Sequence, residues 1–276
     1  MPQILLPRVD KDLAPRAAEI NFVRNELKSK PSKATGLNKI SAKPLKDAAS
    51  VIAKPVTYLI NLTILAGEIP SQWKEVTVTP IYKTGKKDDE NNYHLISVLP
   101  LVSKVMERTI QVQPLSFLDD KKVLSMFQSG FRKKHSTETA VVHLVDHILE
   151  HMDKQQLTGA AFIDLKKAFD LVDHHCLLHR LQHYGVKGCS LTWLKNYLTT
   201  RLQRVQYGKE LSSSLPLDFG VPQGSLLGQL LFVIHINDLP SCLMHSEISM
   251  YADDTAIYSS GSHVNTIREN LQENLK

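Results

Sequence analysis

The feature that most constrains this chain lies near its C-terminus, in EISMYADDTAIYSS (247–260). Ile248, Met250 and Ala252 alternate with Ser249 and Tyr251, and Ala256, Ile257 and Tyr258 resume beyond two adjacent acids, which reads as strand, two-residue turn, strand. The turn should fall on Asp253 and Asp254. It lacks the glycine or asparagine that primed two-residue turns favour, because those turns need positive φ. Read locally, the acids are a solvated hairpin tip, and the rest of the chain decides whether they are more.

Elsewhere, helical and strand signals alternate. KDAASVIAKPVTYLINLTILAGEIP places Val51, Ile52, Val56, Leu59, Ile60 and Ile64 near helical spacing, with Pro55 interrupting and Gly67 near the end, so one long or two short helices are expected. WKEVTVTPIYKTGKKDDENNYHLISVLP reads as a hairpin with a basic, polar tip. STETAVVHLVDHILEHMDK opens with a capping-box pattern at Ser136 or Thr137 and continues as an amphipathic helix. The second half reads strand (GAAFIDL), helix closed by Gly185, helix around Trp193, strands, a loop-helix and the opening hairpin, with IRENLQENLK as a further helix. This mixed order favours α+β over a doubly wound sheet.

The chain has 276 residues, enough for one large domain or two lobes, and 33 Lys and Arg against 28 Asp and Glu give a formal net charge of +5, which permits a polyanionic partner without demanding one. Cys176, Cys189 and Cys242 show no paired spacing, so neither a disulfide framework nor a cysteine zinc site is indicated. No basic flank precedes an apolar core at the N-terminus, and no later run reaches the length of a membrane span, so a soluble cytoplasmic or nuclear protein is expected, without membrane contact. Oligomeric state is not legible.

Two segments carry candidate chemistry. In TGAAFIDLKKAFDLVDHH, Asp164 ends an apolar strand; alone it reads as a cap or loop acid, but neighbouring strands of a mixed sheet can bring it to Asp253 and Asp254. Two like charges about 4 Å apart repel by roughly 4 kcal/mol at an intermediate dielectric, so three carboxylates stay ionised together only around bound cations. Hard oxygen donors suit magnesium, and a two-ion site suits phosphoryl or nucleotidyl transfer. In FGVPQGSLLGQLLFVIHINDLP, Gly220, Pro222 and Gly224 shape a turn, Ser225 can cap, and an apolar helix follows from Leu226. That is a plain helix entry, or a loop where Gly224 admits a ligand to the backbone and the helix N-terminus favours phosphate.

FIDLKKAFDLVDH, GVPQGSLLG and YADD, in this order and at these separations, resemble motifs A, B and C of reverse transcriptases. NNYHLISVLPLVSKVMERTI and FQSGFRKKHSTETA resemble the preceding fingers blocks of non-LTR, LINE-type retrotransposons. The resemblance runs from about Lys30 onward. It implies a polymerase right hand of fingers and palm, an antiparallel palm sheet packed on helices with the thumb absent, divided into an N-terminal leader (1–30), a fingers-like region (31–155) and a palm (156–276). It further implies an RNA-directed DNA polymerase that uses an RNA template, a DNA primer, deoxynucleoside triphosphates and two Mg2+ ions, with Mn2+ as the alternative ion.

By the same resemblance, Asp164 and Asp253 would hold the metals and Asp254 would complete the acidic cluster. The carbonyl of Leu165 would approach a metal, and Phe169 would underlie the incoming sugar, where its other reading is a core aromatic. Gln223 and Gly224 would line the nucleotide pocket. Lys83, Lys86 and Lys87 are candidates for a basic fingers tip that meets triphosphate or template, and Arg132 for an RNA-backbone contact, against the alternative of ordinary solvated charges. His94 and Leu95 stand where the family commonly has Arg-Pro, exchanging a permanent forked charge toward triphosphate for a side chain largely neutral near pH 7. The alternative reading is a truncated, decayed, noncatalytic remnant that at most binds nucleic acid. The His143, His147, His151 series reads as a polar helix face rather than a metal site, and LLFVIHINDL as core.

Overall fold

The structure, a computed structural model, describes residues 12–29 and 35–275. In chain order its elements are α1 (Ile20–Lys28), α2 (Ala42–Asp47), α3 (Ala49–Ala66), α4 (Ser71–Lys74), β1 (Glu75–Tyr82), β2 (Tyr93–Val98), α5 (Leu101–Asp120), α6 (Thr137–Asp153), β3 (Leu157–Asp164) and α7 (His174–His183). There follow α8 (Gly188–Leu198), β4 (Arg201–Tyr207), β5 (Glu210–Leu211), β6 (Leu215–Leu217), α9 (Leu226–His235), β7 (Glu247–Tyr251), β8 (Asp254–Gly261) and α10 (Val264–Asn274). The mixed order and the separate sheets give the α+β class that the sequence indicates. Two units interleave along the chain: a first unit of 122–168 and 232–275, and a second from the described residues of 8–121 and 169–231.

The first unit is built on an antiparallel sheet of order β3-β8-β7. Period-2 alternation in β7 buries Ile248 and Met250, which join Ile257 of β8 in a core completed by Ile163, Ile236, Leu239, Leu243 and Leu271. Central β8 is covered along most of its length, whereas β3, on the edge, alternates exposed and half-buried positions. Helix α6 starts in a full capping box: Ser136 Oγ accepts from Thr139 N–H (3.2 Å) and Thr139 Oγ1 accepts from Ser136 N–H (2.9 Å).

The second unit holds a sheet of order β2-β1-β4-β5, with β6 also on β4 and β1 parallel to β4. The basic hairpin is β1 and β2, in register from Thr77↔Val98 to Tyr82↔Tyr93. Helix α3 is one long helix that continues through Pro55 and closes on Gly67 in the left-handed region (φ 69°). The proline withholds one N–H, and the carbonyl it would have met belongs to Val51, which is exposed to solvent. By length and composition alone this 18-residue helix is long and apolar enough to cross a membrane, a test that the core helix of a soluble protein also passes. Within the unit α3 buries Ala49, Ala53, Val56, Ile60 and Ile64 and packs on α1 and α8.

The part of the N-terminal leader that is described lies against this unit. The Asn61 side-chain amide both donates to and accepts from the Ala18 backbone (3.2 and 2.6 Å), and Gln113 does the same for Arg16 (2.9 and 2.7 Å).

Candidate active site

In the first unit, β7 and β8 pair Ile248↔Ile257, Met250↔Thr255 and Tyr251↔Asp254, leaving Ala252 and Asp253 as the two-residue turn. The turn is therefore one residue earlier than the sequence suggests, and Asp254 is already strand. The register is fixed by Ile248, Met250 and Ile257 in the core, because a slip of one would turn them to the other face. The positive φ falls on Ala252 (57°), an L residue in a conformation that costs about 1–2 kcal/mol.

Strand β3 runs antiparallel to β8 from Leu157↔Gly261 to Asp164↔Asp254, so Asp164 stands directly across from Asp254. Directly opposed residues share a face, and like charges there are destabilising. Both acids are exposed, which leaves water to moderate their repulsion, while Asp253 on the turn is half-buried. Backbone register thus carries the three acids to one end of one sheet. Among the described residues, no three His, Cys, Asp or Glu side chains converge tightly enough to chelate an ion. The donor set, hard carboxylate oxygens on facing strand ends, matches the ligand chemistry of a divalent cation such as magnesium. Leu165 follows Asp164 directly, half-buried beyond the strand end.

The segment FQSG (127–130) lies along β7. Met250 N–H donates to Phe127 O (2.9 Å) and Ser129 N–H to Met250 O (2.8 Å), a parallel bridge between Gln128 and Met250. Gln128 is 1% exposed, and its amide is engaged at both ends: Oε1 accepts from Ala252 N–H (2.9 Å) and Gly130 N–H (2.7 Å), while Nε2 donates to Ala252 O (3.2 Å). A side chain at Gly130 would collide with the Ala252 backbone. The segment is tied down in turn by Asn237, whose Oδ1 accepts from Ser125 N–H (2.7 Å) and whose Nδ2 donates to Val123 O (2.9 Å). Arg132, a candidate for RNA contact, places Nη1 on Ser125 O (2.7 Å) and so helps to shape this loop.

The second unit holds the GVPQGS loop. Val221 N–H donates to Phe169 O and Gly220 N–H to Val172 O (both 2.8 Å), and His174 Nε2 donates to Gly220 O (2.6 Å). Gly220 (φ 81°) is obligatory, since a Cβ there would meet the Asp170 backbone. The Gln223 carbonyl accepts from Ser97 N–H (2.8 Å) at the end of β2, and Gly224 (φ 106°) comes close to Ser97 O. A small groove here is lined by Ser97, Asp170, Gln203, Phe219, Gly220 and Pro222. The Phe169 ring is buried, 6% exposed. Ser225 caps α9 as its position suggests, Oγ accepting from Gly228 N–H (2.7 Å).

Behind this loop lies a buried polar cluster that the sequence does not announce. Glu107, fully buried on α5, accepts from the Tyr197 hydroxyl through Oε1 (2.7 Å) and from Leu226 N–H through Oε2 (2.9 Å). Burial pushes its carboxyl above the usual range, against the opposing pull of the Tyr197 hydrogen bond and of Arg201. The Tyr197 hydroxyl is held well above its ordinary value by burial and then by Glu107, and keeps its proton. Arg201, also fully buried, lies over the Tyr197 ring (4.8 Å to the centroid) and donates Nη1 to Tyr197 O (3.1 Å).

The remaining candidates lie on the β1–β2 hairpin. Lys83, Lys86 and Lys87 are exposed on its tip, which is ordered by Asn92 Nδ2 donating to Lys86 O and Tyr93 Oη donating to Lys87 O (both 2.8 Å). His94 is half-buried in β2 opposite Ile81. On α6, His147 reaches Ser260 Oγ (3.3 Å) and Glu247 (3.4 Å), tying the helix to the sheet. Sequence reasoning missed Gln128, Glu107 and His174. The available signals were an amide inside FQSG, a lone acid on the apolar side of α5, and a histidine directly after the Asp173 cap of α7.

Against these geometries, the family profile "Reverse transcriptase (RNA-dependent DNA polymerase)" matches residues 84–276. The chain is 31% identical over 268 residues, 94% of its length and 29% of the relative's, to the RNA-directed DNA polymerase from mobile element jockey of Drosophila melanogaster. It is 33% identical over 247 residues, 82% of its length and 26% of the relative's, to a probable RNA-directed DNA polymerase from transposon BS, and 31% identical over 237 residues, 82% and 25%, to that of transposon X-element, both from the same fly. The chain spans less than a third of the length of these relatives. With the profile covering most of the sequence and the A, B and C motifs placed on a strand end, a capped loop and a hairpin turn, the chain belongs to the reverse transcriptase family, among relatives from non-LTR retrotransposons.

Proposed function

We propose that this chain carries the nucleotide-adding centre of an RNA-directed DNA polymerase, extending a primer 3′-hydroxyl with deoxynucleotides on an RNA template. The observation that carries the reading is the register that sets Asp164 opposite Asp254 and leaves Asp253 on the adjoining turn. Members of the family generally use divalent metals, and reverse transcriptase domains act on template, primer and nucleotides in general.

Asp164 and Asp253 would hold two magnesium ions, with manganese as a substitute, and Asp254 would complete the acidic end of the sheet; Leu165 would offer its carbonyl. When bound, such ions supply Lewis acidity to the attacking hydroxyl and the departing oxygen. The protein's own part is to hold carboxylates at fixed strand positions, so that little reorganisation is needed as charge develops. In the second unit, Gln223 and Gly224 are assigned to the nucleotide and Phe169 to discrimination against a 2′-hydroxyl. The exposed Lys83, Lys86 and Lys87 are assigned to triphosphate or template, where mobile ammonium groups act as point charges. His94 supplies a weaker contact than the arginine usual in the family. Arg132, which also donates to Ser125 O and Gln128 O, is assigned to the RNA backbone.

The deciding experiment is primer extension on an RNA template with magnesium, beside Asp253→Ala and Asp164→Asn. Extension abolished in both variants is the expected result; extension by the unmodified chain no greater than by Asp253→Ala overturns the reading and favours a noncatalytic remnant that at most binds nucleic acid. Phe169→Ala should raise ribonucleotide incorporation relative to deoxyribonucleotide, and an unchanged ratio would return Phe169 to a core role.

A further inference from the structure

We propose that Gln128 is a positioning residue for the acidic turn: its amide holds Ala252 in the left-handed conformation and thereby fixes where Asp253 is presented. The inference rests on the polymerase reading for its functional consequence, but its structural claim stands apart from it.

The turn has an internal difficulty. A two-residue connection between β7 and β8 requires positive φ at its first residue, and that residue is an alanine. No glycine relieves the strain. The hold must therefore come from outside the hairpin, and three contacts supply it from one side chain: both backbone groups of Ala252 are bonded to Gln128, and the same Oε1 is fastened to Gly130 N–H so that the amide cannot swing away. Only a primary amide meets this pattern. A carboxylate would accept from the two N–H groups but face the Ala252 carbonyl with a lone pair, and a methionine of similar length would leave buried N–H and C=O groups unpaired.

The brace reaches further than one contact. Phe127 and Ser129 bond Met250 on either side, so the segment is seated on β7 by backbone, and Asn237 anchors its start. Asp253 lies one residue beyond Ala252, on a peptide unit whose carbonyl partner is Gln128 Nε2. Rotation of Ala252 out of positive φ would reorient that unit and the carboxylate after it.

The test combines amide hydrogen exchange at Ala252, Mn2+ affinity by water-proton relaxation, and primer extension, on the full chain. Gln128→Met should speed Ala252 exchange by about tenfold and weaken Mn2+ by several-fold, the scale set by losing more than one buried hydrogen bond. It should lower kcat while leaving the KM for nucleotide near its original value. Gln128→Glu, which keeps the shape and two of the three contacts, should fall between and serves if the methionine variant does not fold. Ala252→Gly placed in the Gln128→Met background should restore much of the Mn2+ affinity, because glycine adopts positive φ without strain. Unchanged exchange in both Gln128 variants overturns the proposal, as does accelerated exchange with unchanged Mn2+ affinity, or no recovery with the glycine. If the unmodified chain binds no Mn2+, the polymerase reading fails, and the exchange measurement alone still decides whether Gln128 holds the turn.

Discussion

The two tight turns that carry the candidate chemistry solve the same backbone problem in opposite ways. The GVPQGS loop takes positive φ on Gly220 and Gly224, where no side chain objects, and is backed by a buried carboxylate at Leu226 N–H. The YADD turn takes it on an alanine and is held by a neutral amide from a distant segment. A carboxylate brace behind the acids would add a fourth negative charge to a region already carrying Asp164, Asp253 and Asp254, whereas Gln128 adds none. Behind the glycine loop an acidic brace is tolerable, because burial favours its protonated form and the Tyr197 hydroxyl and Arg201 share the same burial.

The sharpest way to break this contrast is Glu107→Ala, which strands the Tyr197 hydroxyl, Leu226 N–H and the Arg201 charge together; a loss of about 3–5 kcal/mol is expected by urea unfolding. A loss under about 1 kcal/mol would mean the brace is idle. Gly220→Ala should cost about 2–3 kcal/mol in the same assay, since the added Cβ meets the Asp170 backbone and the residue keeps positive φ.

The titratable brace also predicts a pH signature that the amide brace lacks. Because the folded chain holds the Glu107 proton more tightly than the unfolded chain, its contribution is full below the ordinary glutamate range and is lost as pH rises through the raised folded value. Glu107→Gln keeps acceptor and donor capacity but does not titrate, so its stability relative to the unmodified chain should improve as pH rises through that window and then level off. Parallel curves at all pH values would contradict the assignment. The smallest effect is expected from Ala252→Gly: relief of left-handed strain, less the entropy that glycine loses on folding, leaves a gain of about 0.5 kcal/mol. A loss above about 1 kcal/mol would show that the alanine methyl packs usefully at that site.

Much of this fold was legible because its signals are local. The capping box at Ser136, the Gly67 stop, the two hairpins and the Ser225 cap each rest on residues a few positions apart. Braces were not legible: Gln128 meets Ala252 across 124 residues and Glu107 meets Leu226 across 119, and no periodicity marks such a pair. The acidic turn was misplaced by one because the alternation on its two sides fits either frame until Ile257 and Met250 share a core. For the acids, the sequence supports their arrival at one sheet end, while their approach as ligands depends on side-chain geometry that no spacing encodes.

The eight-pair ladder between β3 and β8 works as a ruler with a notch at one end. Because β3 is an edge strand with half its positions open to water, many substitutions along it should pass unnoticed. Its length is a different matter. Inserting or deleting one residue between Leu157 and Asp164 would leave composition and hydrophobicity nearly unchanged, yet either shift Asp164 off Asp254 or send its carboxylate to the far face of the sheet. The strand should thus be permissive to spelling and intolerant of counting: libraries randomised at Phe162 should keep the ladder, and a single-codon indel beside it should lose it.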